Sequence, residues 1–428
     1  MGRSPWLWVT SLFAAEEIPA SIVTYVALLM FLQTETSPTM ATCYCGLLFL
    51  PWVLKSFFRA RVRQIGHFRR QIQWLELATV VTLMALAFVF LRYTRRSLWL
   101  FTGLFVLSLL TAWHELAARM YYERMLRPRL QRLFNGPKTV ASQAAVVLTY
   151  GLLIMFVGAL QVIYRRIGRS WNEGCYLAAG IFLLFAIYHL FVLQRPHVGD
   201  RRKRGSTLDA VRAEIHVIDR IRHKSDWLVV VTGLFLLLLP QGLMFYSRVL
   251  FLLAPTSEGG LGCTLLDVGF AQGTVGVIAF SVGIMLGRQL LRWAGAEHLF
   301  WWMAVSLGLS PVVYLMMAYE PPLSLMMLCV ATAQAQFFFG FGICLTAHFV
   351  RYISGERYRN TINYFYIPLV AFALLPPLAL SGCLVVGMGF RTYFLIDVLT
   401  APFAWLFLGL FKVPQVLQAA NEQKVVVS

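Results

Sequence analysis

The sequence predicts an all-α membrane protein of about twelve transmembrane helices in two six-helix halves. Apolar stretches of membrane length recur along the 428 residues, each ended by a charge cluster or a turn. A helix needs about 20 mostly apolar residues to cross a bilayer core. Only 13% of the residues are charged, 59% are hydrophobic and the mean hydropathy is +0.69, whereas a water-soluble domain carries roughly 25% charge. The basic residues, finally, gather in alternate loops.

The first half is read as spans 6–32, 41–58, 72–92, 97–120, 140–164 and 171–194. The first stretch is full length, carries Glu16 and Glu17 and has only Arg3 before it. It is therefore expected to remain as a span and not to be cleaved as a signal peptide. A polar segment, 195–226, separates the halves. It holds Arg201-Arg202-Lys203-Arg204, then Leu208, Val211, Ile215, Ile218 and Ile221 at helical spacing among charges. Such a pattern suits an amphipathic helix on the inner membrane surface, or a solvated linker. The second half is read as 227–253, 266–291, 298–318, 322–350, 361–388 and 391–412. The expected domains are thus 1–194, a basic cytoplasmic linker 195–226, and 227–428.

Charge sets the orientation. With the N-terminus inside, the inner loops and tails hold 29 of the 37 Lys and Arg residues. The outer loops hold Arg92, Arg95, Arg96, Arg165, Arg166, Arg169 and Arg391, and Arg248 lies within a span. Basic residues favour cytoplasmic loops, so both termini are expected inside, and a bacterial plasma membrane fits. The net charge of +18 is accounted for in this way, and nucleic acid is not an expected partner. The seven cysteines lie mostly in apolar spans, without CxxC or Cys/His zinc spacing, and read as reduced and structural.

Ionisable side chains inside spans are costly and are functional candidates. Glu16 and Glu17 lie about ten residues into the first span, roughly 15 Å deep at ~1.5 Å per residue. They are proton-coupling candidates, or structural acids paired with a base. Lys55, at the inner end of the second span, could bind an anionic solute, neutralise a carboxylate, or snorkel to lipid phosphate. His114 and Glu115 could relay protons, since imidazole titrates near neutral pH, or make a helix contact. Arg248 lies deep in the seventh span, seven residues after Gln241 and on roughly the same face. It could grip a carboxylate or phosphate, or snorkel outward. Gln334, Gln336 and His348 mark the tenth span and Asn363 the eleventh. Such groups suit hydrogen bonds to a solute, and they also join helices. His189 and Asp397 stand isolated and receive no role. Pro19, Pro240, Pro368, Pro376 and Pro377 interrupt spans, and broken helices often line transport sites. No HExxH, GxSxG, P-loop or DxxD pattern occurs, so no enzyme activity, metal or cofactor is expected.

Two six-helix halves joined by a basic inner loop is the plan of the major facilitator superfamily, whose substrates sit near the midplane. Several stretches resemble its AmpG-like branch, the muropeptide permeases and their Bacteroidetes relatives. They are Trp6 to Pro19 (WLWVTSLFAAEEIP), Leu50-Pro51-Trp52-Val53-Leu54-Lys55 and His114-Glu115-Leu116-Ala117-Ala118. Others are Gly259-Gly260-Leu261-Gly262 with Val268-Gly269 and Gly273-Thr274-Val275-Gly276, Phe339-Gly340-Phe341-Gly342 and Leu380-Ser381-Gly382. The resemblance implies alternating-access transport of a small polar solute such as a muropeptide or sugar derivative, with Glu16 as the coupling acid. It also implies departures. Arg63 and Arg119, the gating candidates, stand where the branch has acids. Gln241 and Ala335 replace further acids, and Tyr246 replaces a base. Either the coupling chemistry has been rebuilt, or the chain serves as a scaffold or sensor subunit with a protein partner in an envelope complex.

Overall fold

The computed structural model describes residues 4–92, 97–194, 212, 227–349, 359–415 and 417. The linker expected at 195–226, with its amphipathic helix, lies outside the described residues except for Arg212. Regular structure among the described residues is entirely helical.

Among the described residues ten helices are long and apolar enough to cross a membrane, and one bent pair adds a further span. We number the spans α1 (Pro5–Leu32), α2 (Pro38–Val53 and, after a 44° bend, Phe57–Ile65), α3 (Phe68–Arg92) and α4 (Ser97–Met125). α5 is Pro128–Tyr164, α6 Ile167–Val192, α7 Trp227–Leu253, α8 Leu265–Ala296, α9 His298–Tyr319 and α10 Leu325–Phe349. The last helical run, Arg359–Leu410, divides at Gly389 into α11 (359–388) and α12 (390–410). The described chain thus holds twelve spans. The boundaries expected between 291 and 298 and between 388 and 391 fall on Gly295 (φ 77) and Gly389 (φ 75). Side chains with a Cβ rarely adopt that left-handed backbone, so each glycine lets a membrane-length helix end and the next begin at once.

Other ends are set by local hydrogen bonding. Thr264 and Asp267 form a reciprocal cap at the start of α8, with Thr264 N donating to Asp267 Oδ2 at 2.9 Å and Asp267 N to Thr264 Oγ1 at 3.3 Å. Ser324 Oγ accepts from Met327 N at the start of α10. Such caps satisfy amides that the first helical turn leaves without partners.

Three spans contain a stretch of π-helix: Ile22–Val26 in α1, Val147–Leu153 in α5 and Gly269–Gly276 in α8. The widened turns of α5 and α8 lie against each other. A Cβ on Gly151 would come within 2.5 Å of Thr274 Oγ1, and one on Gly269 within 3.0 Å of Gly151 O. Ser21 of α1 also shares a hydrogen bond with Thr149 of α5.

The helices form two compact units, one of residues 1–37, 54–212 and 264–274, the other of 38–53, 213–263 and 275–428. The first half of α2 therefore packs in the second unit, against α11. There Thr42 Oγ1 donates to Ala379 O at 3.3 Å and accepts from Gly382 N at 3.2 Å. The start of α8 packs in the first unit, against α5. Apolar side chains face outward in both units, among them Val162, Leu184 and Phe191 in the first and Met285, Phe403 and Leu406 in the second. Water would penalise that surface and hydrocarbon does not. The chain is a multi-pass membrane protein.

Candidate functional site

Charged side chains converge inside the first unit. Lys55 stands at the bend of α2, where Pro51 has no amide to donate and the helix tightens through Trp52 N to Phe49 O. The break turns the ammonium inward, and its side chain is only 2% exposed. It pairs with the carboxylate of Glu115 on α4. Arg119, one turn later on α4, approaches the other carboxylate oxygen of Glu115 at 3.5 Å. Glu16 is buried on α1, and its Oε2 has no hydrogen-bond partner among the described residues. The charges it faces are Glu115, Arg119, Lys55 and Glu17. Glu16, Glu17, Lys55, Glu115 and Arg119 thus interact within one apolar unit.

The neighbouring residue of α4 points elsewhere. Adjacent side chains on a helix diverge by roughly 100°, and His114 faces Glu76 of α3 while Glu115 faces Lys55 of α2. Nε2 of His114 lies 3.4 Å from Oε1 of Glu76 on α3, and Nδ1 of His189 on α6 lies 2.5 Å from the same oxygen. Nε2 of His189 reaches Ser11 Oγ of α1 at 3.0 Å. All three titratable groups are buried. Glu76 is not among the residues the sequence singled out, although an acid within a span is a signal in itself. In the sequence His189 stands isolated, because its partner Glu76 is 113 residues away.

In the second unit Arg248 is 4% exposed, so it does not snorkel to the surface. Its guanidinium lies over the Phe245 ring at 4.9 Å, and its Nε has no hydrogen-bond partner among the described residues. Gln241 is buried, and its Nε2 donates to Leu307 O at 2.7 Å. Pro311 explains that bond. It lacks the amide that would bond the carbonyl four residues earlier, and Gln241 supplies the missing donor. Gln336 is buried beside the fully buried Ala335. Arg63 is exposed in the last turn of the α2 segment Lys55–Ile65, where a cation complements the helix dipole. The side chain of Asn363 lies outside the described residues. Asp397 of α12 is buried with neither carboxylate oxygen hydrogen-bonded among the described residues. Within these residues no cluster of His, Cys, Asp and Glu could hold a metal ion.

The fold is that of the major facilitator transporters. The chain is similar to the nucleoside transporter NupG (14% identity, 94% of this chain and 98% of that one, TM-score 0.66). It is also similar to a POT family transporter in complex with a thioalcohol-conjugated peptide (12% identity, 95% and 96%, TM-score 0.70). The inward-open xylose transporter XylE from E. coli matches at 14% identity over 94% and 95% of the two chains, with a TM-score of 0.62. No family model matches the sequence, and no curated protein matches it.

Proposed function

We propose that the protein is a secondary transporter that moves a small polar solute by alternating access, coupled to protons. The observation that carries this reading is the buried Glu16, whose Oε2 has no hydrogen-bond partner among the described residues, beside the buried Lys55–Glu115 pair and the partly exposed Arg119. A charge held out of water without full compensation is expensive, and a protein that keeps one uses it. In this proposal Glu16 carries the coupling proton, with Glu17 and Glu115 as its partners in proton exchange, whereas His114 is turned toward Glu76 and stands apart from them. Lys55 holds Glu115 in place while the proton is absent from Glu16.

Arg248, Lys55, Gln241, Gln336 and Asn363 are the proposed solute contacts. Arg248 leads them, because a buried guanidinium against an aromatic ring suits a carboxylate or phosphate on the solute. Solutes of the solved transporters (a nucleoside, xylose, a peptide conjugate) are small and polar, which agrees with the AmpG-like resemblance to muropeptide carriers. Residues 1–194 and 227–428 would be the moving halves and 195–226 the inner linker. Arg63 and Arg119 would serve in gating, in a bacterial inner membrane with both termini cytoplasmic. The packing of α2 on α11 and of α8 on α5 supplies contacts that such a cycle must break.

The test is a thermal-stability screen of the purified protein against muropeptides, sugars, sugar phosphates and peptides at two pH values. Ligand binding stabilises the folded state by mass action. A pH-dependent shift with one solute class, absent in Glu16→Gln, is the expected result. Proton-linked uptake that persists in Glu16→Gln would remove that residue from the coupling role. The replaced acids motivate a second reading, a transporter-like scaffold or sensor subunit. A protein partner retained through purification, with no solute response, would favour it. Against it stands the pairing of Arg119 with Glu115, which gives the reversed charge a use inside the unit.

A further inference from the structure

We propose that Glu76, His189 and Ser11, steadied by His114, form a second protonation site that holds one exchangeable proton and reports its occupancy to α1. Hydrogen-bond accounting leads to it. His189 Nδ1 lies 2.5 Å from Glu76 Oε1, a carboxylate oxygen that can only accept while ionised, so this nitrogen carries a hydrogen. His189 Nε2 lies 3.0 Å from Ser11 Oγ, and Ser11 Oγ also lies 3.3 Å from the carbonyls of Leu7 and Trp8. A hydroxyl has one hydrogen and two acceptor positions. When His189 carries a proton on both nitrogens, Nε2 donates to Ser11, and Ser11 donates to the α1 carbonyls. When Nε2 is bare, the Ser11 hydroxyl rotates and donates to it instead. Both states keep the relay from Glu76 Oε1 through His189 to Ser11 hydrogen-bonded, so the proton comes and goes at Nε2 without breaking it, while Glu76 Oε2 has no hydrogen-bond partner among the described residues. The pair Glu76–His189 passes between net charge −1 and 0, with the proton added at Nε2.

His114 does not compete for that proton. Its Nε2 is 3.4 Å from Glu76, and its Nδ1 is buried without a hydrogen-bond partner among the described residues. A hydrogen on that Nδ1 would be a buried donor with no acceptor, which is costly. Other groups around His189 are Arg69 of α3, whose Nη2 donates to Leu190 O at 2.9 Å, and Gln73, whose Nε2 reaches His189 O at 3.4 Å. From α1 comes Ser11; from α6 itself Phe185 and Tyr188 flank the imidazole ring. Ser11, on α1, is half-buried, while Glu76, His114 and His189 are enclosed. That helix also carries Glu16 and Glu17.

The experiment is a pH titration of the full-length protein, labelled with 15N in its eight histidines, by NMR in lipid nanodiscs. Expected is one histidine that passes from doubly protonated to the neutral form with hydrogen on Nδ1. That signal should be lost in His189→Gln and displaced in pH in Ser11→Ala. A His189 that stays in one protonation state throughout, or that loses its Nδ1 hydrogen on deprotonation, overturns the proposal. So does a titration unmoved by Ser11→Ala, a variant that removes one half-buried hydroxyl. Glu16→Gln separates this site from the coupling acid. The His189 transition should survive in it, and if coupling also survives, Glu16 loses its role while the second site stands.

Discussion

Lys55 and Glu115 show what single residues contribute and what they leave at risk. Their ion pair is closed off from water. Removing one partner of such a pair leaves an uncompensated buried charge and costs about 3–5 kcal/mol, whereas replacing both by apolar groups is often neutral. Glu115→Gln is therefore expected to lower the thermal midpoint strongly, and Lys55→Met combined with Glu115→Leu to restore most of it. Arg119, partly exposed, can turn to water in the double variant. A double variant as unstable as Glu115→Gln would mean that the pair contributes more than charge balance. The presence of Glu16, Lys55, His114 and Glu115 at a site was legible from one rule, that charge inside an apolar span needs a reason. The same rule covers Glu76, close to the polar edge of its span. What no spacing rule reveals is pairing. Glu76 meets His189 across 113 positions and Gln33 meets Gln161 across 128, and such contacts exist only once helices have packed.

At the scale of the element, the crossing of α5 and α8 is a tightly constrained contact. Gly273-Thr274-Val275-Gly276 announces close approach in the sequence, since glycine lets helices touch along the backbone. Its partner Gly151 carries no such signal, and neither do the π-turns that widen both helices there. Overpacking a tight contact costs typically 1–3 kcal/mol. Gly151→Leu, which drives a side chain into Thr274 and the Gly273 backbone, is expected to destabilise by about that amount. Gly180→Ala on α6 is the control, because a Cβ there meets nothing within 4 Å. Equal thermal midpoints for the two variants would show that the α5–α8 contact opens freely. Helix ends were more legible than contacts. The spans expected around 291–298 and 388–391 part at Gly295 and Gly389, where composition and backbone freedom agree.

For the whole molecule, the sequence supports counting spans and orienting them, because both follow from the chemistry of a bilayer. It does not reveal that residues 38–53 pack with the second unit and 264–274 with the first. That exchange depends on which contacts are closed, a property of conformation and not of composition. It also supplies the sharpest test of transport by alternating access. A Cβ on Gly158 of α5 would lie 3.2 Å from the Leu265 Cβ of α8, slightly under the separation of about 3.5–4.5 Å that a disulfide spans. Gly158→Cys with Leu265→Cys, in a background where Cys263 is replaced by Ser, should therefore cross-link under mild oxidation after a small adjustment. If the proposed halves must part here once per cycle, oxidation stops uptake of the solute found in the stability screen, and reductant restores it. Either single cysteine variant should be indifferent to both reagents. Full uptake by quantitatively cross-linked protein would mean that α5 and α8 stay together throughout, and that the solute reaches its site by a movement elsewhere in the fold.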